Sequence, residues 1–199
     1  MIAKEIYYYF KNALPHKLCD EIIHYGNSLI KEKAVTGFHK INPIRKLTNK
    51  EKIIPEKVRK SNVAWINEPW VYREIRPYIE LANKQADWNF EINGYETIQF
   101  TEYTIGQFYG YHMDSFYEGH RRKLSMTVNL TDGSEYKGGD LYFKSMDRNK
   151  LEVTEFTNNE FRSKGTLCVF PSYEVHKVTP VTKGTRYSLV LWSVGDPFK

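Results

Sequence analysis

His112 and Asp114 stand two residues apart at the end of the stretch TEYTIGQFYGYHMD, Thr101 to Asp114. In a β-strand, residues i and i+2 share a face, so this imidazole and carboxylate project to the same side. Such a pair can take two adjacent positions around a metal ion. A second histidine would complete a set of two histidines and one carboxylate, which on iron leaves positions open for oxygen chemistry. His176, in FPSYEVHKVTPV, is the candidate. It lies 62 residues after Asp114, a spacing that only the fold can close. Ten residues later, Arg186 in GTRYSLVLW offers a planar fork able to bind a carboxylate through two parallel donors. Ser188 shares its face by the same alternation. Plainer readings stand beside these: a surface pairing of His112 with Asp114, and a salt bridge from Arg186 to any nearby acid.

The elements that must position these groups are mostly short strands. The segments Gly94–Tyr103, Gln107–Asp114, Lys123–Asn129, Asp140–Lys144, Leu151–Phe156, Gly165–Phe170, Glu174–Val178 and Thr185–Trp192 read as strands. Turns bearing Gly or Pro separate them, the pattern of a sandwich, a barrel or a double-stranded β-helix. Before residue 90 the chain is different. Glu5–Phe10 reads as a tyrosine-rich strand. A helix follows from Pro15 to about Lys33, with Leu18, Ile22, Ile23, Leu29 and Ile30 as its apolar stripe. Residues 34–56 carry Gly37, Pro43, Pro55 and many lysines with little periodicity, which predicts a loop and a candidate substrate lid. Lys57–Ile66 reads as one strand, and Asn67–Trp88 as a second helix with Pro69 near its start and Pro77 as a point of kinking. His16, His24, His39 and His120 receive no chemical role. No linker marks a boundary near residue 89. The expectation is a single domain over 1–199, with 1–90 as helical support and possible lid and 91–199 as the β core.

Composition narrows the class. Hydrophobic residues make up 41% and charged residues 27%, an ordinary globular mixture. No apolar run is long enough to span a bilayer. The start, MIAKEIYYYFKN, lacks a signal-peptide core, and two cysteines do not make a disulfide scaffold. These features predict a cytoplasmic protein, or one of the host cytoplasm if viral, without a membrane partner. The net charge of +5 is spread along the chain and densest from Lys31 to Lys60. Most such residues simply solvate a surface, so nucleic acid is a possible but not a favoured partner. Nothing in the sequence fixes an oligomeric state.

The second half, residues 95–194, resembles the iron- and 2-oxoglutarate-dependent oxygenases, particularly the prolyl 4-hydroxylase-like branch of small viral and bacterial type. The resemblance rests on Tyr103-x-x-Gly106-Gln107-x-Tyr109-x-x-His112-x-Asp114 and on Arg122-x-x-Ser125 with Val128-Asn129-Leu130. It continues through Gly138-Gly139-Asp140-Leu141 and Gly165-x-x-x-x-Phe170-Pro171-Ser172. His176-x-Val178-x-Pro180-Val181, Gly184-x-Arg186-Tyr187-Ser188 and Trp192 complete it. It implies a distorted double-stranded β-helix of jelly-roll or cupin-like form, mainly β with N-terminal α-helices. It implies Fe(II) held by His112, Asp114 and His176, and 2-oxoglutarate clamped by Arg186 with contacts from Tyr103 and Ser188. Dioxygen would be the oxidant, and the resemblance also admits ascorbate. The implied activity is hydroxylation of a peptide or protein substrate, with peptidyl proline leading. The arginine at 186, where many members carry lysine, sets the chain apart from the collagen-type subgroup.

Other functions fit the same residues: an oxygenase acting on nucleic acid or a free amino acid, or a non-catalytic β-domain that binds a protein partner. Tyr109, Tyr111, Phe116, Tyr142, Phe170 and Trp192 are candidates to enclose the site, with core packing as the alternative for each. Strict alternation separates Tyr109 and Tyr111 from Phe108 and His112. Gly138 and Gly139 read as a tight turn and not a phosphate loop, since the lysine and helix of that motif are missing. Asp140 is left out of the ligand set, and Cys168 reads as an inert strand residue.

Overall fold

The computed structural model describes residues 5–34, 58–115, 121–147 and 152–197. The predicted lid at 34–56 lies outside them except for Ala34, as do His39, Phe116 and His120.

Thirteen strands and two long helices follow one another in these segments. The strands are β1 (Tyr8–Phe10), β2 (Glu32–Lys33), β3 (Arg59–Lys60), β4 (Asn62–Ile66), β5 (Gly94–Tyr95), β6 (Ile98–Tyr103) and β7 (Phe108–His112). They continue as β8 (Arg122–Asn129), β9 (Leu141–Asp147), β10 (Glu152–Phe156), β11 (Leu167–Pro171), β12 (His176–Val178) and β13 (Arg186–Val194). The helices are α1 (His16–Ser28) and α2 (Pro69–Gln85). The major sheet runs β1-β11-β8-β13-β6-β4-β2, with β5 also on β13. The minor sheet runs β10-β9-β12-β7-β3. This is the mainly β architecture with N-terminal helices, two sheets facing each other as in a double-stranded β-helix.

Alternation along the major-sheet strands divides their residues between two environments. Ala64, Phe100, Leu189, Val128 and Leu167 sit side by side across the strands on the outer face. Onto it pack Cys19 and Ile22 of α1 and Val71, Ile75, Ile79 and Ala82 of α2. Each valine and isoleucine among them contributes roughly 1.5–3 kcal/mol by leaving water. α1 approaches so closely that a Cβ on Gly26 would lie 2.6 Å from the Phe100 ring. α2 starts with Pro69 in its first turn, where the missing N–H costs nothing, and continues through Pro77. A second cluster closes the space between the sheets at one end. There Phe143, Phe161 and Phe170 are buried, and Tyr7 stacks on Phe143 at 5.4 Å.

Three departures from the sequence expectation change how elements are arranged. The first helix stops at Ser28, and Glu32–Lys33 forms an edge strand instead. The expected strand over Lys57–Ile66 is two strands in two sheets, since β3 pairs with β7 and β4 pairs with β6. The chain crosses between layers at Ser61. The expected strand Gly94–Tyr103 is also interrupted, between Tyr95 and Ile98. The glycine pair does form a tight turn: Gly138 and Gly139 have φ of +70° and +65°, and a Cβ on Gly138 would collide with the Pro180 carbonyl. Among the described residues no helix is long and apolar enough to cross a membrane.

Candidate metal centre

β7 and β12 lie side by side in the minor sheet, with His176 directly opposite His112. That pairing closes the long gap in sequence. β7 ends at His112, so Asp114 is not held by the strand alternation that suggested it. Its backbone N–H and that of Ser115 both donate to the Ser172 carbonyl at 2.9 Å. The Ser125 hydroxyl donates to Asp114 Oδ2 at 2.7 Å. These bonds tie the Asp114 loop to the segment just before β12 and to β8 of the major sheet.

The result is a compact donor set. Ligand atoms of His112, Asp114 and His176 all lie within 4.8 Å of one another. His112 Nε2 is 3.6 Å from Asp114 Oδ1, and His176 Nε2 is 3.7 Å from Asp114 Oδ2. Each histidine places Nδ1 2.9 Å from a backbone carbonyl, Gly110 for His112 and Glu174 for His176. A carbonyl can only accept, so each Nδ1 carries the proton and each Nε2 turns its lone pair inward. Burial would raise the Asp114 pKa, but His176, His112 and Arg122 outweigh it and hold the carboxyl well below its usual range. Burial, with His112 adding to it and Asp114 opposing, pushes the His176 imidazole down to about 4. Two neutral nitrogens and one carboxylate oxygen converge, a donor set matched to a divalent ion of intermediate softness such as Fe(II).

The cluster opens into a cavity of about 160 Å³ between the sheets. Arg186, Tyr103 and Ser188 line the same cavity. Arg186 and Tyr103 are cross-strand partners, with the guanidinium carbon 5.7 Å from the tyrosine ring centre. Arg186 is only 3% exposed. Its hydrogen bond among the described residues is from Nη1 to Ser188 Oγ at 3.3 Å. The six residues singled out in the sequence thus meet in one space. Asp140 does not join them, being paired with Arg162. Cys168 is buried in β11, as expected.

Tyr109 departs from the expected alternation. Its ring stacks on His112 with centroids 3.4 Å apart and planes 11° apart. The cause is a register shift: His176 faces His112, but Val178 faces Tyr109. Three steps on β7 therefore oppose two on β12. The extra residue is a β-bulge, which turns Tyr109 to the side of His112. Tyr111 instead lies under the ammonium groups of Lys144 and Lys177, at 3.9 and 4.4 Å from its ring. Of the expected enclosing rings, Tyr109, Phe170 and Trp192 line this cavity, whereas Tyr111 and Tyr142 do not.

Arg59 and Arg122 were not assigned to the site from sequence, yet both reach the cavity. Arg59 is 7% exposed, bonds Ser61 Oγ through Nε at 3.0 Å, and stands 4.4 Å from the Tyr109 ring centre. Among the described residues its Nη2 is buried without a partner, as is Trp192 Nε1. Arg122 forks onto Glu96 at 2.7 and 2.6 Å and covers the Trp192 ring at 3.9 Å. Arg59 belongs to the basic stretch expected to solvate a surface. The available signal was its position two residues before Ser61 and four before Val63, where alternation would align it with a buried face. Lys31, from the same stretch, is paired with Glu102 at 2.8 Å.

Residues 98–194 match the 2OG-Fe(II) oxygenase superfamily. A PKHD-type hydroxylase of Idiomarina loihiensis is 31% identical over 96 residues, which cover 48% of this chain and 40% of that protein. The chain thus spans less than half the length of the curated relatives it matches. A prolyl-4-hydroxylase from Pseudomonas putida superposes with a TM-score of 0.63 at 22% identity, over 96% of this chain and 94% of that one. A prolyl hydroxylase from Trichoplax adhaerens, in complex with a hypoxia inducible factor peptide fragment, superposes at 0.64 with 17% identity over 96% and 84%. Fold, donor set and sequence agree in likening residues 98–194, just under half of the chain, to the 2OG-Fe(II) oxygenase superfamily. Within that superfamily its likeness is to PKHD-type hydroxylases in sequence and to prolyl hydroxylases in fold.

Proposed function

We propose that residues 1–199 form one catalytic unit, a non-haem Fe(II), 2-oxoglutarate-dependent dioxygenase that hydroxylates a peptidyl residue, with proline the leading substrate. The observation that carries this reading is the meeting of His112, Asp114 and His176 with the buried Arg186, which has no carboxylate partner among the described residues, in one cavity.

His112 Nε2, Asp114 and His176 Nε2 would hold the metal. Bound there, Fe(II) with the oxoacid and dioxygen supplies the oxidation, in which the oxoacid becomes succinate and carbon dioxide and one oxygen atom enters the substrate. The chain's own residues bind and orient. Arg186 receives the distal carboxylate through its fork, a charge-assisted contact with geometric selectivity. Tyr103 and Ser188 flank that carboxylate with hydroxyl groups. The Gly110 and Glu174 carbonyls fix both imidazole tautomers, and Ser125 orients the Asp114 carboxylate, so the donors need little rearrangement. Tyr109 and Trp192 wall the cavity and restrict water.

A peptide substrate is supported by two features. The superposing prolyl hydroxylases include one solved with a peptide. Among the described residues Arg59 Nη2 and Trp192 Nε1 are buried donors without partners, on two side chains that line the cavity. Such groups are costly unless a ligand engages them, and backbone carbonyls of an extended peptide are suitable acceptors. The test is anaerobic titration with Fe(II) and then 2-oxoglutarate, followed by mass-resolved assay of a peptide library with oxygen. A gain of one oxygen atom on proline-containing peptides, with matching succinate, is expected. Oxygen gain confined to nucleic acid or free amino acids would overturn the peptide assignment. Absence of Fe(II) binding would overturn the whole reading.

A further inference from the structure

The arginines divide by what neutralises them. Arg73, Arg76, Arg121, Arg122 and Arg162 each lie within ion-pair distance of an acid. Among the described residues, Arg59 and Arg186 have no acid partner, and both are buried, at 7% and 3% exposed. Both line the cavity that holds the metal donors. An arginine keeps its proton where a buried lysine would shed it, so each charge persists and is costly until an anion meets it. The oxoacid proposed above meets Arg186. It leaves Arg59 unmet. The acids on the same wall are committed elsewhere: Glu32 accepts a bond from Trp65 Nε1 at 2.9 Å, and Asp114 belongs to the metal donor set.

The surroundings of Arg59 leave its far end over. Nε donates to Ser61 Oγ at 3.0 Å, and the Tyr109 ring lies 4.4 Å from the guanidinium carbon, an attraction to the cation as a whole. Neither acceptor is an anion, and Nη2 is buried without a partner among the described residues. Two terminal nitrogens in one plane match the two oxygens of a carboxylate. A peptide carbonyl suffices for the neutral Trp192 Nε1, but it does not neutralise Arg59. Position limits where such a carboxylate belongs. Arg59 and Tyr109 are cross-strand partners, and the Tyr109 ring stacks on His112 at 3.4 Å. The guanidinium therefore touches a ring that itself touches a metal ligand. An extended peptide advances about 3.3 Å per residue, so an acid on Arg59 lies on the oxidised residue or within about two positions of it.

We infer that Arg59 receives a carboxylate of the peptide substrate, carried by an Asp or Glu close to the oxidised residue or by a C-terminus there, an assignment that rests on the proposed oxygenase activity. Arg59 then sets specificity and touches no reacting atom.

The experiment is anaerobic calorimetric titration of the protein loaded with Fe(II) and 2-oxoglutarate, so that peptide binding is read without turnover. One set of probes is proline peptides blocked at both ends, with Asp or Asn one or two positions to either side of the proline. The other is proline peptides ending at or next to the proline in a free acid or an amide. In at least one pair the acid is expected to bind about tenfold or more tightly than its amide, the range of a hydrogen bond to a charged group. The pair that shows it distinguishes a side chain from a C-terminus. Arg59→Gln should bring the two affinities together, whereas a merely structural role would weaken acid and amide alike and keep their ratio. If that variant does not fold, Arg59→Lys keeps the charge, loses the fork and should shrink the preference. Equal binding of acid and amide in every pair, binding of neither, or a preference undiminished in the variants overturns the inference. So does a loss of 2-oxoglutarate affinity in Arg59→Gln with the peptide preference intact, which assigns Arg59 to the oxoacid. A mixed-sequence single-stranded oligonucleotide that binds more tightly than every acid peptide, and is released by Arg59→Gln, assigns the arginine to phosphate and overturns the carboxylate. If the wild type takes up neither Fe(II) nor 2-oxoglutarate, the oxygenase reading fails, and the same pairs titrated into the unloaded protein still decide whether Arg59 holds an acid.

Discussion

The two faces of the major sheet are made by the same strands and have opposite chemistry. On the helix side, Ala64, Phe100, Leu189, Val128 and Leu167 form an unbroken apolar row. One residue along each strand, the row facing the minor sheet reads Val63, Thr101, Ser188 and Asn129, and the next reads Trp65, Gln99, Val190, Thr127 and Cys168. Thr101, Ser188 and Asn129 are as buried as the leucines, at 0%, 2% and 2% exposed. Buried polar groups need partners, and some of these find them in each other, as Gln99 does in Thr101 at 2.9 Å. The difference teaches where stability and function are kept. The outer face holds the fold by area. The inner face gives up that area to place donors around a cavity.

Each side of this division can be attacked separately. The largest effect should come from Leu189→Ala on the outer face, which is expected to cost about 2–5 kcal/mol in urea unfolding. Fe(II) affinity of the folded fraction should be unchanged. A loss of iron affinity in step with stability would show that the faces are not separable. Next, Asp114→Ala should weaken Fe(II) binding by at least about a hundredfold, beyond the range seen for outer-shell partners. Anaerobic metal titration checks this, and wild-type affinity would remove Asp114 from the donor set. Arg186→Ala should weaken 2-oxoglutarate by about 1.5–3 kcal/mol, the worth of hydrogen bonds to a charged group. It should leave Fe(II) in place, so a parallel loss of metal would contradict the separate roles of the two ends of the cavity. The smallest change is Ser125→Ala, which frees Asp114 Oδ2 and should cost about tenfold in Fe(II) affinity. An unchanged affinity would mean that the Ser172 carbonyl alone sets the Asp114 loop.

Much of the inner face was legible in the sequence, but not for one uniform reason. The positions of His112, Asp114, His176 and Arg186 followed from residue types and a recognisable order of motifs. The strand logic offered for Asp114 was incomplete, because β7 ends at His112 and hydrogen bonds from the Ser172 and Ser125 region take over. Tyr109 is a candidate to enclose the site and does line it, but strict alternation set it apart from His112; a bulge adds one residue there, and no composition marks it. Arg59 was hidden because its segment changes sheets at Ser61, and a continuous strand-like pattern does not reveal a change of layer. The helices were located to within a few residues by their apolar stripes. The exception is the end of α1, where Leu29 to Lys33 continues the periodicity but leaves the helix.

The pairing of β12 with β7 also orders events during synthesis. His112 and Asp114 emerge from the ribosome together, whereas His176 follows 62 residues behind. Until β12 has docked, only two donors are available, and two donors grip a divalent ion poorly. Metal binding contributes to folding only through the conformation that assembles the complete set. An ion held by this set would therefore not nucleate the two sheets; it would lock a structure that hydrophobic contacts must already have built.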